Sequence, residues 1–117
     1  MIITLEDFKK VDIVVGKILS AEKVPETDKL LKLSVDLGEE TQRQIISGIS
    51  LYFPDCSVLV GRKCMFVANL ETRTIRGIES QGMILAISTE DVTPEGGQGK
   101  FSLLEPNSEI PVGARAK

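Results

Sequence analysis

Apolar and polar residues alternate strictly between positions 31 and 37, and this is the clearest regular pattern in the chain. The apolar members are every second residue, namely Leu31, Leu33, Val35 and Leu37. A period of two is typical of a β-strand that buries one of its faces. Glycines follow at positions 38 and 48 and enclose residues 41–47, which we predict to be the returning strand of a hairpin.

Four further apolar segments predict strands. Residues 11–24 are rich in valine and isoleucine, and Gly16 inside them predicts a bulge that bends this long strand. Residues 62–70 predict the fourth strand, and residues 83–88 predict the fifth. A shorter apolar run at residues 101–104 predicts one more short strand.

Two short helical segments are predicted outside the strands. Thr4 followed three residues later by Asp7 has the form of a helix N-cap, so residues 5–10 predict a short helix that covers one end of the fold. Residues 51–60 hold a proline and an aspartate before a short apolar run. They predict one or two helical turns that close at Gly61.

The order of these elements predicts an all-β fold. Three strands, a short helix and two more strands follow one another as in an OB-fold, which is a five-stranded, partly open Greek-key barrel. At 117 residues the chain fits one domain, residues 1–117, because a single core grows well past this size before a chain divides. Residues 89–117 are then a loop and a C-terminal extension. Three glycines, a proline and three acidic side chains in residues 89–99 favour a flexible loop.

Composition indicates a folded, soluble protein. Hydrophobic residues make up 42% of the chain and charged residues 26%, which is close to the usual globular balance. No basic N-terminal segment precedes an apolar run, and no segment approaches the roughly 18 apolar residues that span a bilayer. We therefore expect a cytoplasmic location and no membrane contact. Cys56 and Cys64 are expected to stay reduced, since chains without a secretion signal rarely form disulfides.

The sequence contains no histidine, the residue that most often serves as a general acid or base near pH 7 and as a metal ligand. This argues against metalloenzymes and against hydrolases built on histidine, and we expect neither a metal nor a cofactor. The net charge of −3 argues against unspecific coating of nucleic acid. The charge is uneven, however, because residues 62–76 are mostly basic whereas residues 77–117 carry an acidic excess.

The segment between the fourth and fifth predicted strands is the main candidate for a binding site. It combines two guanidinium groups, an amide, a hydroxyl, two glycines and a thioether, in Asn69, Arg73, Arg76, Gly77, Ser80, Gly82 and Met83. Arginine binds phosphate through paired hydrogen bonds, glycine lets a backbone approach a ligand, and methionine offers an adaptable apolar face. The structural alternative is a hairpin-like connection in which Arg76 pairs with Glu79 and Met83 fills the end of the barrel.

Polar residues elsewhere on the predicted barrel extend this candidate site. Residues 25–30 join strands one and two, where OB-folds carry a binding loop. Lys29 in this loop can reach a phosphate, or else it forms an ordinary surface ion pair with Asp28. Strands two and three add three polar side chains, those of Lys32, Arg43 and Ser47. With only five aromatic residues, recognition of folded RNA by shape and backbone is favoured over base stacking.

Many short motifs in one order resemble a known family, the tRNA-binding domain. This domain stands alone in small bacterial dimers and is appended to methionyl-tRNA synthetase and to cytokine-related synthetase cofactors. The matching motifs run from about residue 5 to residue 88, with weaker similarity beyond. They are Asp7-Phe8, Val11-Asp12, Val15-Gly16, Asp28-Lys29-Leu30, Val35-Asp36-Leu37-Gly38, Ser47-Gly48-Ile49, Tyr52 with Pro54, Leu59-Val60-Gly61, Ala68-Asn69-Leu70, Arg73, Gly77, Glu79-Ser80 and Gly82-Met83.

The resemblance implies an OB-fold, often dimerised through terminal extensions, that binds the outer corner of folded tRNA with little sequence preference. It implies RNA contacts for Lys29, Asn69, Arg73, Ser80 and Met83, and less certain ones for Lys32, Arg43, Ser47 and Arg76. The chain departs from the family in two places. Val14 stands where many members carry arginine, and Glu71-Thr72 stands where lysine and proline are common, so this copy is less basic than the family pattern.

The leading hypothesis is therefore a non-catalytic tRNA-binding module, either the C-terminal domain of methionyl-tRNA synthetase or a stand-alone equivalent. A homodimer and a synthetase catalytic region are the expected partners besides tRNA. The first alternative is a dimeric protein-binding chaperone or export factor of the same fold. The second is a hydrolase that uses Ser80 with a lysine base in place of histidine.

Overall fold

The computed structural model describes residues 1–89 and 100–117, and most of their regular structure is β-strand. One α-helix, α1 (Leu5–Phe8), precedes the strands, and two 3-10 helices, Ser50–Tyr52 and Cys56–Leu59, lie between the third strand and the fourth. The strands in the described residues are β1 (Ile13–Lys23), β2 (Leu31–Asp36), β3 (Arg43–Ser47), β4 (Lys63–Val67), β5 (Arg73–Ile75), β6 (Ile78–Ser80), β7 (Met83–Ile84), β8 (Ala86–Ser88) and β9 (Phe101–Leu103). The predicted flexible loop at residues 89–99 falls, from residue 90 on, outside the described residues.

Five strands form one antiparallel sheet in the order β3-β2-β1-β4-β7, and this sheet curls into a nearly closed barrel. The side chains of β2 are buried at every second position, as the pattern predicts, and Leu31, Leu33 and Val35 are fully buried. Phe66 from β4 and Ile18 from β1 complete the centre of the core. The predictions of an all-β OB-fold and of helical turns between strands three and four are confirmed.

The bulge in β1 lies at Leu19 and not at Gly16, so that part of the prediction is wrong. The register with β2 shifts between Ile18 and Ser20, whereas Gly16 pairs regularly with Cys64. Gly16 serves a packing purpose instead. A Cβ atom there would lie 2.6 Å from the side chain of Leu37 and 2.7 Å from the ring of Phe66, so glycine is needed for the core to close around it.

Helix α1 begins as predicted, with the Thr4 hydroxyl accepting a hydrogen bond of 3.1 Å from the backbone N–H of Asp7. It is shorter than predicted, and it buries no residue. The prediction that this helix covers one end of the fold is therefore wrong for the single chain. The side chains of Leu5 and Phe8 remain 66% and 40% exposed.

The predicted fifth strand, residues 83–88, is divided between two sheets. Met83 and Ile84 pair with β4 in the barrel, whereas β8 leaves it and pairs with β9. The division falls at Leu85, which donates its N–H to the carbonyl of Met65 and accepts from the N–H of Leu104. The short strand predicted at residues 101–104 is confirmed as β9.

The C-terminal residues extend the barrel along the first half of β1. In that half β1 pairs with β4 on one side only, because β2 reaches no further than Lys17. Residues 113–116 occupy the other side, where Ala114 accepts from the N–H of Val15 at 2.8 Å and Gly113 donates to the Val15 carbonyl at 2.9 Å. A β-bridge between Val14 and Arg115 joins these contacts. We call residues 113–116 the C-terminal strap.

Both cysteines are free thiols, as expected. Cys64 is fully buried in β4, and this burial raises the pKa of its thiol to about 11. In the described part of the chain no helix is both long and apolar enough to cross a membrane.

Candidate nucleic-acid interface

The segment 69–83 forms a hairpin, which the sequence suggested only as the structural alternative. Strands β5 and β6 pair through Arg73 with Ser80 and Ile75 with Ile78, leaving Arg76 and Gly77 as a two-residue turn. Both turn residues have positive φ angles, +54° for Arg76 and +79° for Gly77. Positive φ at both positions is the mark of a type I′ turn. Holding an arginine in this conformation costs about 1–2 kcal/mol.

The hairpin is attached to the free edge of β3 by the side chain of Ser80. Its Oγ accepts a hydrogen bond of 3.0 Å from the N–H of Ile46 and donates one of 3.1 Å to the carbonyl of Gly82. Ser80 is only 1% exposed, and its hydroxyl both donates and accepts within the protein. The structure thus gives this side chain a role inside the barrel wall, and its contact with RNA stays a prediction.

The same geometry bears on the hydrolase alternative. A serine nucleophile has to be accessible to its substrate and hydrogen bonded to a base. Within residues 1–89 and 100–117, the hydroxyl of Ser80 has the backbone of Ile46 and Gly82 as partners and no lysine. The described residues also contain no group of three Cys, Asp or Glu side chains that lie close enough together to hold a metal ion.

Gln44 and Gln81 complete the attachment of the hairpin, and the sequence analysis missed both. The N–H of Gln81 donates to the Gln44 carbonyl at 2.8 Å, and the Gln81 Oε1 accepts from the N–H of Gln44 at 3.0 Å. The Nε2 of Gln44 donates to the carbonyl of Glu79 at 2.8 Å. These bonds give partners to backbone N–H and C=O groups at the edge of β3, which otherwise lacks a neighbouring strand. The sequence of β3 does not alternate and gives no signal for Gln44, and nothing in the sequence pairs two residues 37 positions apart.

Asn69 ties the start of the hairpin segment to the N-terminal region. Its Oδ1 accepts from the N–H of Asp12 at 2.8 Å, and its Nδ2 donates to the carbonyl of Lys10 at 2.5 Å. Both ends of the amide are therefore in use, although the residue is exposed. Asn69 holds the position of the segment, and its predicted RNA contact has one amide hydrogen and one lone pair of the oxygen left to use.

Arg43 is also engaged within the protein. Its Nε and Nη2 donate to the two carboxylate oxygens of Glu39 at 2.8 Å each, and its Nη1 donates to the carbonyls of Gln81 and Ala68. The hydrogen bond from Arg43 lowers the pKa of Glu39 below its ordinary value. The guanidinium links the β2–β3 turn, the end of β4 and the base of the hairpin. The guanidinium therefore has no free pair of parallel N–H groups to donate to a phosphate.

Three predicted cations remain exposed and have no ion pair among the described residues: Lys29, Arg73 and Arg76. The alternative pairs, Arg76 with Glu79 and Lys29 with Asp28, are not formed in that part of the chain. Lys32 contacts Glu22 at 2.7 Å. Met83 is 38% exposed in β7, so the prediction that it offers an apolar face is compatible with its position, whereas it does not fill the barrel end.

Strand register places several of the predicted residues on neighbouring segments. Arg73 is opposite Ser80, whose hydroxyl bonds Ile46, and Ile46 is opposite Lys32. The half-buried Ser47 pairs with Leu31, two residues after Lys29. The carbonyl of Lys29 accepts from the N–H of Ser50 at 3.0 Å, which fixes this loop against the chain that leaves β3. The hairpin and the β1–β2 loop are therefore both attached to β3 or to the residues that follow it.

A barrel of five strands with a cationic hairpin and a basic β1–β2 loop belongs to the OB-fold class of nucleic-acid-binding proteins. A family model described as "Putative tRNA binding domain" matches residues 13–115. The chain belongs to this tRNA-binding domain family. The match covers β1 to the C-terminal strap.

Relatives agree with this assignment. The chain is 42% identical over 112 residues to the methionine-tRNA ligase of Enterococcus faecalis, covering 96% of this chain and 16% of the ligase. It therefore spans about one sixth of the length of the ligases that it matches. Among solved structures, a MetRS-related protein from Pyrococcus horikoshii is 39% identical with a TM-score of 0.86, covering 100% of this chain and 99% of that one. The CsaA chaperone protein of Picrophilus torridus is 25% identical, with a TM-score of 0.82 and coverage of 99% and 100%.

Proposed function

We propose that this chain is a non-catalytic module that binds folded tRNA by its shape and backbone and raises the tRNA concentration near a methionyl-tRNA synthetase. The synthetase is either the rest of the same polypeptide or a separate partner, and linkage of this kind raises effective concentration without any new contact. Residues 1–117 act as one domain, with 89–117 as loop and C-terminal extension, and the module works in the cytoplasm. Similarity to one sixth of the length of methionine-tRNA ligases supports this proposal.

The observation that carries the proposal is the contrast in charge pairing around the hairpin. Arg43 and Lys32 are neutralised by carboxylates, whereas Arg73, Arg76 and Lys29 are exposed without such partners in the described residues. Guanidinium groups bind phosphate through two parallel hydrogen bonds, and lysine acts as a point charge. The positive φ of Arg76 is a requirement of the type I′ turn, and this turn places Arg76 at the exposed end of the hairpin.

The salt dependence of tRNA binding tests this mechanism. If each free cation neutralises one phosphate, log affinity falls with log salt, and removing one cation reduces the slope by about 0.7–0.9. We expect this reduction for Arg73→Ala, Arg76→Ala and Lys29→Ala, with weaker binding to all tRNA sequences alike. Fluorescence titrations at four or more salt concentrations measure the slopes.

Lys17→Ala is the matched control, because Lys17 is an exposed lysine of β1 opposite Lys63, away from the hairpin. It removes the same charge as Lys29→Ala and should leave the slope unchanged. Binding of folded tRNA that does not respond to salt contradicts the mechanism, as does an equal effect of all four variants.

The proposal includes a homodimer formed through the N-terminal region. Apolar side chains crowd there without cover, with Ile2 at 98%, Leu5 at 66%, Phe8 at 40% and Val11 at 42% exposure. A mainly apolar cleft of about 380 Å³ lies between helix α1 and residues 115–117. Exposed apolar patches of this kind mark association surfaces. Two copies would also present twice the number of free cations to one tRNA.

Mass measurement in solution at micromolar concentration tests the dimer. We expect a dimer for the unmodified chain and a monomer for the double variant Leu5→Ser with Phe8→Ser. The matched control is Val58→Ser with Val60→Ser, since these valines are 53% and 50% exposed elsewhere on the barrel. A monomeric unmodified chain overturns this part of the proposal.

A protein-binding chaperone is the second candidate, and the same exposed apolar region supports it. The similar Picrophilus torridus protein is described as a chaperone. If this candidate is right, the chain retains unfolded polypeptide in a pull-down and binds no tRNA at physiological salt. Binding of tRNA without retention of unfolded polypeptide favours the leading proposal.

A further inference from the structure

A groove lined mainly by uncharged side chains lies beside the hairpin, on the outer face of β1, β2 and β3. It has a volume of about 250 Å³. Its uncharged polar residues are Ser20, Ser34, Gln42, Gln44 and Gln81, and its two cations are Lys32 and Arg43. We call it the glutamine groove. A second cleft of about 390 Å³, lined by Thr41 and Thr72 among others, meets it at Gln42 and Gln81. Neither glutamine was among the residues predicted to bind RNA.

Gln81 offers a donor to this groove, and the direction of its amide is fixed by chemistry. Its Oε1 accepts from the backbone N–H of Gln44, and a backbone N–H can only donate, so the oxygen has to be at this end. The Nε2 therefore points the other way. Its two hydrogens have no acceptor in the described part of the chain. Gln42 also lines the groove, and its Oε1 accepts from the Ser34 hydroxyl at 2.6 Å while its Nε2 has no acceptor in the described residues. Because a hydroxyl both donates and accepts, this bond orients the Gln42 amide less strictly than the backbone N–H orients Gln81.

The groove is not suited to a phosphate. Its two cations are already paired with carboxylates, Lys32 with Glu22 and Arg43 with Glu39. An incoming anion would meet Glu22 close to Lys32. What remains is a set of neutral donors and acceptors, which suits an uncharged polar ligand. The volume is below the range of drug-sized pockets and fits a group no larger than a single base.

The groove also lies next to the cations proposed to bind phosphate. Gln81 follows Ser80 directly, and Ser80 is opposite Arg73 in the hairpin. A nucleotide whose phosphate contacts Arg73 thus has the groove within reach of its base. Amide side chains recognise bases through paired donors and acceptors, and in folded RNA it is the unpaired bases that are accessible for this.

We propose that the glutamine groove receives one unpaired base of the bound RNA, which accepts hydrogen bonds from the Nε2 groups of Gln81 and Gln42. This inference rests on the proposed tRNA binding and adds a second kind of contact to it. The hairpin cations hold the backbone. The two glutamines select a base edge that presents acceptors, a carbonyl oxygen or a ring nitrogen.

The variant Gln81→Glu tests the donor specifically. A carboxylate still accepts from the N–H of Gln44, so the attachment of the hairpin to β3 is kept, but the amide hydrogens are lost. We expect the affinity for tRNA to fall by about tenfold or more, the loss expected for one unmade hydrogen bond of this kind, while the unfolding midpoint is unchanged. Gln42→Glu should act in the same direction.

Thr41→Glu controls for the added negative charge, because it places a carboxylate in the neighbouring cleft and outside the glutamine groove. We expect it to weaken binding much less than Gln81→Glu. An equal effect of the two variants overturns the inference, since charge alone would then explain the loss.

Side-chain amide signals in ¹⁵N-correlated NMR spectra give a second measurement, assigned by their loss in the two glutamate variants. Uncharged nucleosides at millimolar concentration should shift the Gln42 and Gln81 signals, and inorganic phosphate should not. If the unmodified chain binds tRNA but neither signal moves and Gln81→Glu binds as tightly, the inference is wrong and the proposed function stands. Failure of the unmodified chain to bind tRNA overturns the proposed function, and the inference with it.

Discussion

The hairpin segment carries two sets of polar side chains with opposite roles. The attached side chains, those of Asn69, Ser80 and Gln81, form hydrogen bonds with β3 and the N-terminal region. The exposed side chains, those of Arg73 and Arg76, face solvent without an ion pair among the described residues. Arg73 is paired with Ser80 across the hairpin, so the neighbouring edge of β3, and not the position along the hairpin, makes the difference.

Predictions that compare the attached with the exposed positions follow from this contrast. Changes at the attached positions should lower stability by more than changes at the exposed positions. The first two predictions below compare one variant of each kind, and the third concerns Glu39, which binds Arg43 beside the attached residues.

We expect the largest difference in the free energy of unfolding between Gly82→Ala, at the base of the hairpin, and Gly77→Ala, in its turn. Gly82 has a φ of +139°, and a Cβ there would lie 3.0 Å from the Val67 carbonyl, whereas Gly77 has a φ of +79° and open space around it. We expect Gly82→Ala to lower the free energy of unfolding by about 3 kcal/mol or more, because the substitution adds both backbone strain and a close contact. Gly77→Ala should cost about 1–2 kcal/mol. Chemical denaturation measures both, and similar values would contradict the contrast.

We expect the second largest difference in the free energy of unfolding between Ser80→Ala and Arg73→Ala. Removing the Ser80 hydroxyl leaves the buried N–H of Ile46 without an acceptor, which should lower the free energy of unfolding by about 1–3 kcal/mol. Arg73→Ala should change it by less than about 0.5 kcal/mol, as for most surface substitutions. Denaturant titration of both variants is the measurement. A large loss of stability in Arg73→Ala would show that this exposed side chain is also structural.

The smallest expected effect on stability concerns Glu39, which accepts two hydrogen bonds from Arg43 beside the base of the hairpin. Its pKa is lowered in the folded state, chiefly by the hydrogen bond from Arg43, so its stabilisation is present above the unfolded pKa of about 4.3 and is lost as the pH falls through the folded value. Because the carboxyl is 45% exposed, we expect less than about 1 kcal/mol. Unfolding of the unmodified chain and of Glu39→Gln, compared between pH 3 and pH 6, isolates this term. Parallel pH curves would contradict it.

The sequence was sufficient for the fold because its strands carry local patterns. The alternation of β2 shows which residues are buried, and the Thr4 cap shows where α1 begins. Gly16 was misread because a glycine in a strand is compatible either with a bulge or with a close contact. Only the positions of Leu37 and Phe66, brought there by other strands, select the contact.

The exposed cations of the candidate site could be predicted from the sequence, and the internal hydrogen bonds of its other residues could not. Lys29 and Arg73 are predicted RNA contacts because basic residues in binding loops have a recognisable chemistry, and the structure leaves both exposed. Ser80 has the same appearance in the sequence, and its burial depends on the edge of β3, 34 residues away. Gln81 carries no charge and has no local pattern. Its importance arises only from long-range contacts.

The C-terminal strap has a consequence for how the chain folds. Residues 113–116 pair with Ile13 and Val15, a separation of about one hundred residues, so closing this loop carries a large entropic cost. Contacts so distant in sequence slow folding, and we expect the strap to dock after the central strands have assembled. Until then the first half of β1 exposes unpaired backbone groups that another strand can bind. Late docking of these four residues therefore sets the period in which the folding chain is most open to misassociation.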